Sequence, residues 1–265
     1  MANLFRMDLY RMFKSRGCKI CLILTAVFAV AHTPLVKLLD MLAKLVARSG
    51  GEPVKPLLGP TISLSAIIGD PFPLFSTILI MLSVVYFYYA DMEAGYIKNI
   101  AGQMPKRGFS ILSRYLASIV HNAIFVGVCL VGKLIGTLPF QQIVGDDQIV
   151  TSIIGLLLKM MLLQSLCAVL LLAAASFRSK ALGMVLAVMF GLGAMGLLYS
   201  AIDTGLNALI KGASIAPYMP DTLLETVYNP TTGTLQALRG FLSAAVTIVI
   251  FLPLSIHVFD RRDVK

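Results

Sequence analysis

The chain has 265 residues, of which 58% are apolar and only 13% charged, and its mean hydropathy is +0.86. An ordinary soluble domain carries about 45–50% apolar and about 25% charged residues, so this composition excludes one and points to a polytopic membrane protein. The net charge of +9, from 22 Lys and Arg against 13 Asp and Glu, is then first a topology signal and not a nucleic-acid footprint.

At about 20 residues per crossing the length holds about six or seven spans, which leaves no room for a separate catalytic domain. Residues 1–19 read as an interfacial helix: Phe5, Leu9, Met12 and Phe13 fall at helical spacing, with Arg6, Asp8 and Lys14 off that stripe. The same stretch, followed by the apolar run Ile20 to Val30 and by Ala29-Val30-Ala31, has the outline of a signal peptide. Its basic region is longer than such a leader carries, so it is expected to be retained. The first span is predicted at 20–36. The loop 37–70 is expected to be helical near 38–47 and irregular after Gly50-Gly51, with Pro53, Pro56 and Pro60.

The second span is predicted at 71–90 and the third at 115–138. Inside the third, Gly127 to Lys133 fits the first seven positions of a phosphate-binding loop, but Leu134 replaces the required Ser or Thr and no strand precedes it. Cys18-x-x-Cys21 has no second pair, and His32, His121 and His257 show no metal-ligand spacing. No hydrolase motif appears. An enzyme is therefore not expected, and neither is a bound cofactor or metal.

The fourth span, 150–176, carries one charge, Lys159, with Gln164 following. On one reading Lys159 and Gln164 form part of a polar cargo path, because an intramembrane charge costs about 2.5–3.5 kcal/mol. On the other Lys159 snorkels, or pairs with an acidic loop residue such as Asp146 or Asp147. Lys133 reads as snorkelling. The fifth span, 181–202, has Gly183, Ala187 and Gly191 at spacing four, with Gly193 and Gly196 after them. That small-residue face suits either a contact inside the bundle or a dimer seam. The loop 203–238, broken by Pro217, Pro220 and Pro230, is expected to dip into the bilayer or to cap the outer face. The sixth span is predicted at 240–259.

Six spans put both termini on one side. Fourteen Lys and Arg fall in the N-terminal segment, the second and fourth loops and the tail, against six in the remaining loops. That bias makes both termini cytoplasmic in a multi-pass protein of the cell membrane.

The most specific text lies between spans two and three. It runs Asp91-Met-Glu93-Ala-Gly95-Tyr96-Ile97-Lys98-Asn99-Ile100, then Gly102, Pro105, Lys106, Arg107, Ser110, Ser113 and Arg114. Residues 93–100 would form a short amphipathic helix with Tyr96, Ile97 and Ile100 apolar, ended by Gly102 and Pro105. This order resembles the permease subunits of type-2 ATP-binding-cassette exporters, as does the ending Phe259-Asp260-Arg261-Arg262-Asp263. Tyr96 and Arg114 depart from the usual small residue and Lys of that pattern.

The resemblance implies an all-α fold with a single membrane domain over 1–265: six spans, an N-terminal interfacial helix and a cytoplasmic coupling helix. Glu93, Gly95, Tyr96, Ile97, Lys98, Asn99 and Ile100 would dock on a separate cytoplasmic ATPase subunit, present in two copies, which would hold the ATP and Mg. A second permease subunit, identical or homologous, would complete the path. The cargo would be a lipid, a hydrophobic drug or an antimicrobial peptide. The competing class is a structural or regulatory membrane protein or a channel. A channel needs a ring of polar groups, and only Lys159 and Gln164 offer part of one.

Overall fold

The structure is a computed structural model that describes residues 2–48, 58–72, 75–93, 108–177, 179–210, 212–226 and 234–261. It is all-α apart from one pair of short strands. In chain order the elements are α1 (Ala2–Lys14), α2 (Arg16–Arg48), β1 (Thr61–Ser63), α3 (Leu64–Gly69), α4 (Ser76–Glu93), α5 (Gly108–Thr137), β2 (Gln142–Val144), α6 (Ile149–Ser176), α7 (Lys180–Gly191), α8 (Met195–Leu209), a 3₁₀ turn (Ala216–Tyr218), α9 (Pro220–Thr226) and α10 (Thr234–Arg261). Among the described residues α2, α5, α6 and α10 are long and apolar enough to cross a membrane. The pair α7 and α8, bent by 78°, makes a fifth if it is one broken span, and α4 is apolar over a shorter length, Ser76–Ala90.

The helix α6 is apolar all round and lies at the centre, with 67% of its most apolar window buried, against 11% for α10 and 17% for α2. It packs against α10, α3, α9 and α5, while α2 packs on α5 and α4, and α4 on α7. The core runs through Met81, Val84, Val85 and Tyr88 of α4, Ile111 and Phe125 of α5, and Leu162, Leu163, Leu166 and Leu170 of α6.

Several boundaries differ from the sequence expectation: α4 begins at Ser76 and not at 71, α5 at Gly108 and not at 115, and α10 at Thr234 and not at 240, and three further differences change the architecture. The first span and the helical stretch expected after it are one element, the 33-residue α2. At 1.5 Å per residue it is about 50 Å long, well beyond a bilayer core of about 30 Å. The residues after Pro34 are mostly good helix formers, and Asp40 pairs with Lys44 one turn on at 2.8 Å.

The fifth span is not continuous. After Gly191 the chain closes a Schellman motif, in which Ala194 N–H donates to Met189 O (2.9 Å) and Gly193 N–H to Phe190 O (3.2 Å). Gly193 takes the left-handed conformation that this motif requires, φ +67°. Beyond the break α8 runs on to Leu209, and the Asp203 carboxylate accepts from Ser214 Oγ (2.6 Å) and from the N–H of Ile215 (2.7 Å). The following α9 then packs on α6 and α10, with Leu223 and Leu224 in the core. Asp221 of α9 is buried with them, which pushes its carboxyl above the ordinary range.

The N-terminal helix is shorter than 1–19 and docks on α5. Of the apolar stripe Met12 is buried, Phe5 and Leu9 are half-buried and Phe13 is exposed, while Asp8, off that stripe, is buried too. Ser113 of α5 donates to its carboxylate. Burying a carboxylate is tolerable when a donor meets it.

The small-residue face of α7 turns inward. A Cβ added at Gly183 would lie 2.6 Å from the Tyr89 ring, and one at Gly191 would lie 2.6 Å from the Ile78 Cα. That face is therefore the α4 contact within the bundle, not a dimer seam. The helices α2 and α5 approach as closely through Gly132 and Gly136, and Thr33 and Thr137 share a hydrogen bond of 3.1 Å beside them.

Candidate functional site

The segment between α2 and α4 folds back onto the bundle after residue 58. Its strand β1 pairs in parallel with β2, which lies in the α5–α6 connection, in the register Thr61 to Gln142, Ile62 to Ile143 and Ser63 to Val144. Gln141 Nε2 donates to Gly59 O (2.7 Å) and Gln142 N–H to Pro60 O (3.0 Å). Ser63 caps the N-terminus of α3 by accepting from Ala66 N–H, and Ser65 donates to Asp146. The outcome is that α3 is packed on α6 with Ile67 fully buried, and Asp70 follows at its C-terminus.

Two lysines meet there. Lys159 Nζ of α6 lies 3.5 Å from Asp70 Oδ1, and Lys133 Nζ of α5 lies 3.5 Å from Asp70 Oδ2 and also donates to the Asp70 carbonyl. Both lysine side chains are buried, 3% and 7% exposed, whereas that of Asp70 is 49% exposed. Lys159 stands ten residues into α6, about 15 Å from its start, so the folded-back segment brings a carboxylate down to the lysine. Of the two sequence readings of Lys159, pairing with an acidic loop residue is the contact present, but its partner is Asp70 and not Asp146 or Asp147. Lys133 is not snorkelling. On α2, His32 Nδ1 is buried with no hydrogen-bond partner among the described residues.

Gln164, the other expected path residue, belongs to a different cluster. Its Oε1 accepts from Asn122 Nδ2 (2.9 Å), and its Nε2 donates to Ser118 Oγ (2.9 Å) and Tyr115 O (3.2 Å). Asn122 Oδ1 lies 3.2 Å from His121 Nδ1, and His121 Nε2 lies 2.7 Å from Ser83 Oγ. This chain of polar groups joins α4, α5 and α6. Its Ser–His–Asn order has the spacing of a nucleophile, a base and an orienting group, but Ser83 is fully buried and His121 and Asn122 are each only 2% exposed. A sealed, mutually satisfied network of this kind fixes helix register. Lys159 and Gln164 are five positions apart on α6, about 140° around the helix, which is why one helix serves two clusters.

The four cysteines Cys18, Cys21, Cys129 and Cys167 are free and buried, and the described residues hold no group of three or more metal-ligating side chains. The phosphate-loop look-alike lies inside α5. Glu93 is the last residue of α4; Gly95, Tyr96, Ile97, Lys98, Asn99 and Ile100, the rest of the expected coupling helix, lie outside the described residues. Asp70 and its pairing with both lysines escaped the sequence reading, where it served only to mark the end of a loop. A lone Asp before an apolar run, with two lysines inside later spans, was the available signal.

The chain shows no significant match to any protein-family model, curated protein or solved structure.

Proposed function

We propose that this chain is the membrane-spanning permease subunit of an ATP-driven exporter, working with a separate cytoplasmic ATPase. The observation that carries the reading is the text of residues 91–114, which joins α4 to α5 and combines an amphipathic stretch with a basic return to the next span. An N-terminal helix docked on α5 and several long apolar helices support it. On this reading α4 and the pair α7–α8 complete six spans, both termini are cytoplasmic, and two permease subunits flank the cargo path. ATP binding draws the ATPases together, the coupling segments move with them, and the bundle changes the side on which its path is open. A two-state element biased by differential binding energy needs nothing more.

The test is release of the ATPase. Tyr96 would anchor the contact, and truncating an anchor of this kind costs about 2 kcal/mol or more of binding. Tyr96→Ala with Ile97→Ala is expected to free the co-expressed ATPase from the detergent-solubilised complex while the permease still inserts. Arg261→Ala with Arg262→Ala should leave docking intact. Wild-type retention of the ATPase by the Tyr96/Ile97 variant would remove the coupling assignment.

A further inference from the structure

We infer that two copies of this chain pair in the membrane along α2, through an apolar seam that runs from Ile20 to Leu45 and continues past the bilayer. As the assembly of an exporter this rests on the permease reading; as the pairing of two copies it does not.

Beginning at Ile20, every residue reached by alternating steps of four and three up to Leu45 is apolar, with Ala31 and Pro34 as its small members. That is the heptad repeat by which two helices keep one face together over many turns. The large side chains of the seam are exposed, and Ala31 and Pro34 are half-buried. The other side of the helix, with Cys18, Thr25, Ala29 and Thr33 buried, is the one packed on α4 and α5.

Lipid covers only part of this seam. No Lys, Arg, Asp or Glu occurs from Ile20 to Val36, and Lys37, Asp40 and Lys44 follow. The seam is about 38 Å long, against a bilayer core of about 30 Å. Its neighbour α5 ends at Thr137, level with Thr33 through their hydrogen bond. Leu38, Met41 and Leu45 therefore stand beyond the hydrocarbon on a projecting helix, where an exposed apolar face calls for a protein partner.

A second copy fits that face. Two copies inserted the same way are related by a two-fold axis along the membrane normal, which sets the same helix face against itself in parallel. A heptad seam is self-complementary under that operation. The charges agree with it: the position opposite Lys37 in such a pair is Leu42 of the second copy, so a lysine stem meets a leucine and not a like charge. Lys44 is neutralised by Asp40 of its own helix at 2.8 Å.

Cysteine cross-linking of the full-length chain in its membrane tests this with no ATPase present. The four native cysteines are buried, which keeps the background low. Leu38 and Leu45 lie on the seam and Leu39 lies off it, yet their exposures are alike, 53%, 60% and 56%, so random collision would link cysteines at all three equally. Facing seam positions fall within the Cα separation of about 4.4–6.8 Å that a disulfide spans. Oxidation with copper phenanthroline is expected to link Leu38→Cys and Leu45→Cys into dimers about fivefold or more over Leu39→Cys.

Leu38→Gln with Leu45→Gln, both beyond the uncharged span, is expected to weaken pairing of the chain in nonionic detergent about tenfold or more, read by light scattering over a dilution series, while Leu39→Gln leaves it unchanged. Equal linking at the three positions, no linked dimer at Leu38→Cys and Leu45→Cys, or pairing untouched by the double Gln change would each overturn the seam. The permease reading fails separately, through the Tyr96/Ile97 variant: a linked dimer whose ATPase stays bound to that variant keeps the seam and removes the coupling assignment, and release of the ATPase without linking does the reverse.

Discussion

Pro34 has no N–H to donate, so the carbonyl of Val30 four residues earlier lacks its intrahelical partner. That carbonyl faces Gly136 of α5, where an added Cβ would lie 2.2 Å from the Val30 oxygen, and four residues earlier a Cβ on Gly132 would lie 2.5 Å from the Ala29 Cβ. Glycine at these two positions lets a freed carbonyl approach a neighbouring Cα. Gly136→Ala is therefore expected to cost about 1–3 kcal/mol through overpacking, seen as a lower unfolding temperature in detergent. Gly127, also in α5 but with nothing within 4 Å of its added Cβ, is the contrast. Gly127→Ala should be neutral or stabilising by up to about 1 kcal/mol, and equal effects at the two sites would refute the close-contact account.

The break between α7 and α8 is decided by one turn of chain. Up to Gly191 the residues continue a helix against α4, and the left-handed Gly193 then directs α8 away at 78°. Gly193→Ala would put a β-carbon into a left-handed conformation, costing about 1–2 kcal/mol, and within 2.6 Å of Glu225 Oε1. Lower thermal stability is the expected outcome, with Gly196→Ala, whose added Cβ meets nothing within 4 Å, unchanged or slightly stabilised. If Gly193→Ala melted no lower than Gly196→Ala, the capping motif would not be what ends α7. The docking of α1 on the bundle combines Met12 in the core, Phe5 and Leu9 packed beside it, and the buried Asp8 carboxylate met by Ser113.

At the scale of the whole molecule the proposed orientation predicts which loops face out. Because the four native cysteines are all buried, a cysteine introduced at the surface gives labelling with little background. Cysteines placed near Gly51 and near Thr222 are expected to react with a membrane-impermeant maleimide in intact cells, and one near Ala101 only after the cells are opened. Reversed labelling would remove the coupling assignment of residues 93–100 together with the topology.

The apolar runs and the spacing of charge along the chain were enough to specify an all-α protein with several long apolar helices, because hydropathy is a local property that survives in one dimension. The same reading located Lys159 and Gln164 as polar residues of their span. Tertiary structure alone decided their partners. Lys133 donates to a residue 63 positions away in the chain, and the meeting of both lysines at Asp70 requires α3 to fold back, β1 to pair with β2, and α5 and α6 to pack in one register. Likewise the inward turn of Gly183 and Gly191, the role of Gly136 beneath Val30 and the placement of Asp8 against Ser113 follow from which helices become neighbours. Local propensity sets where a helix forms and which residues share a face; which face meets which carboxylate is set only when the bundle closes, since buried charge is stable only where long-range packing supplies its partner.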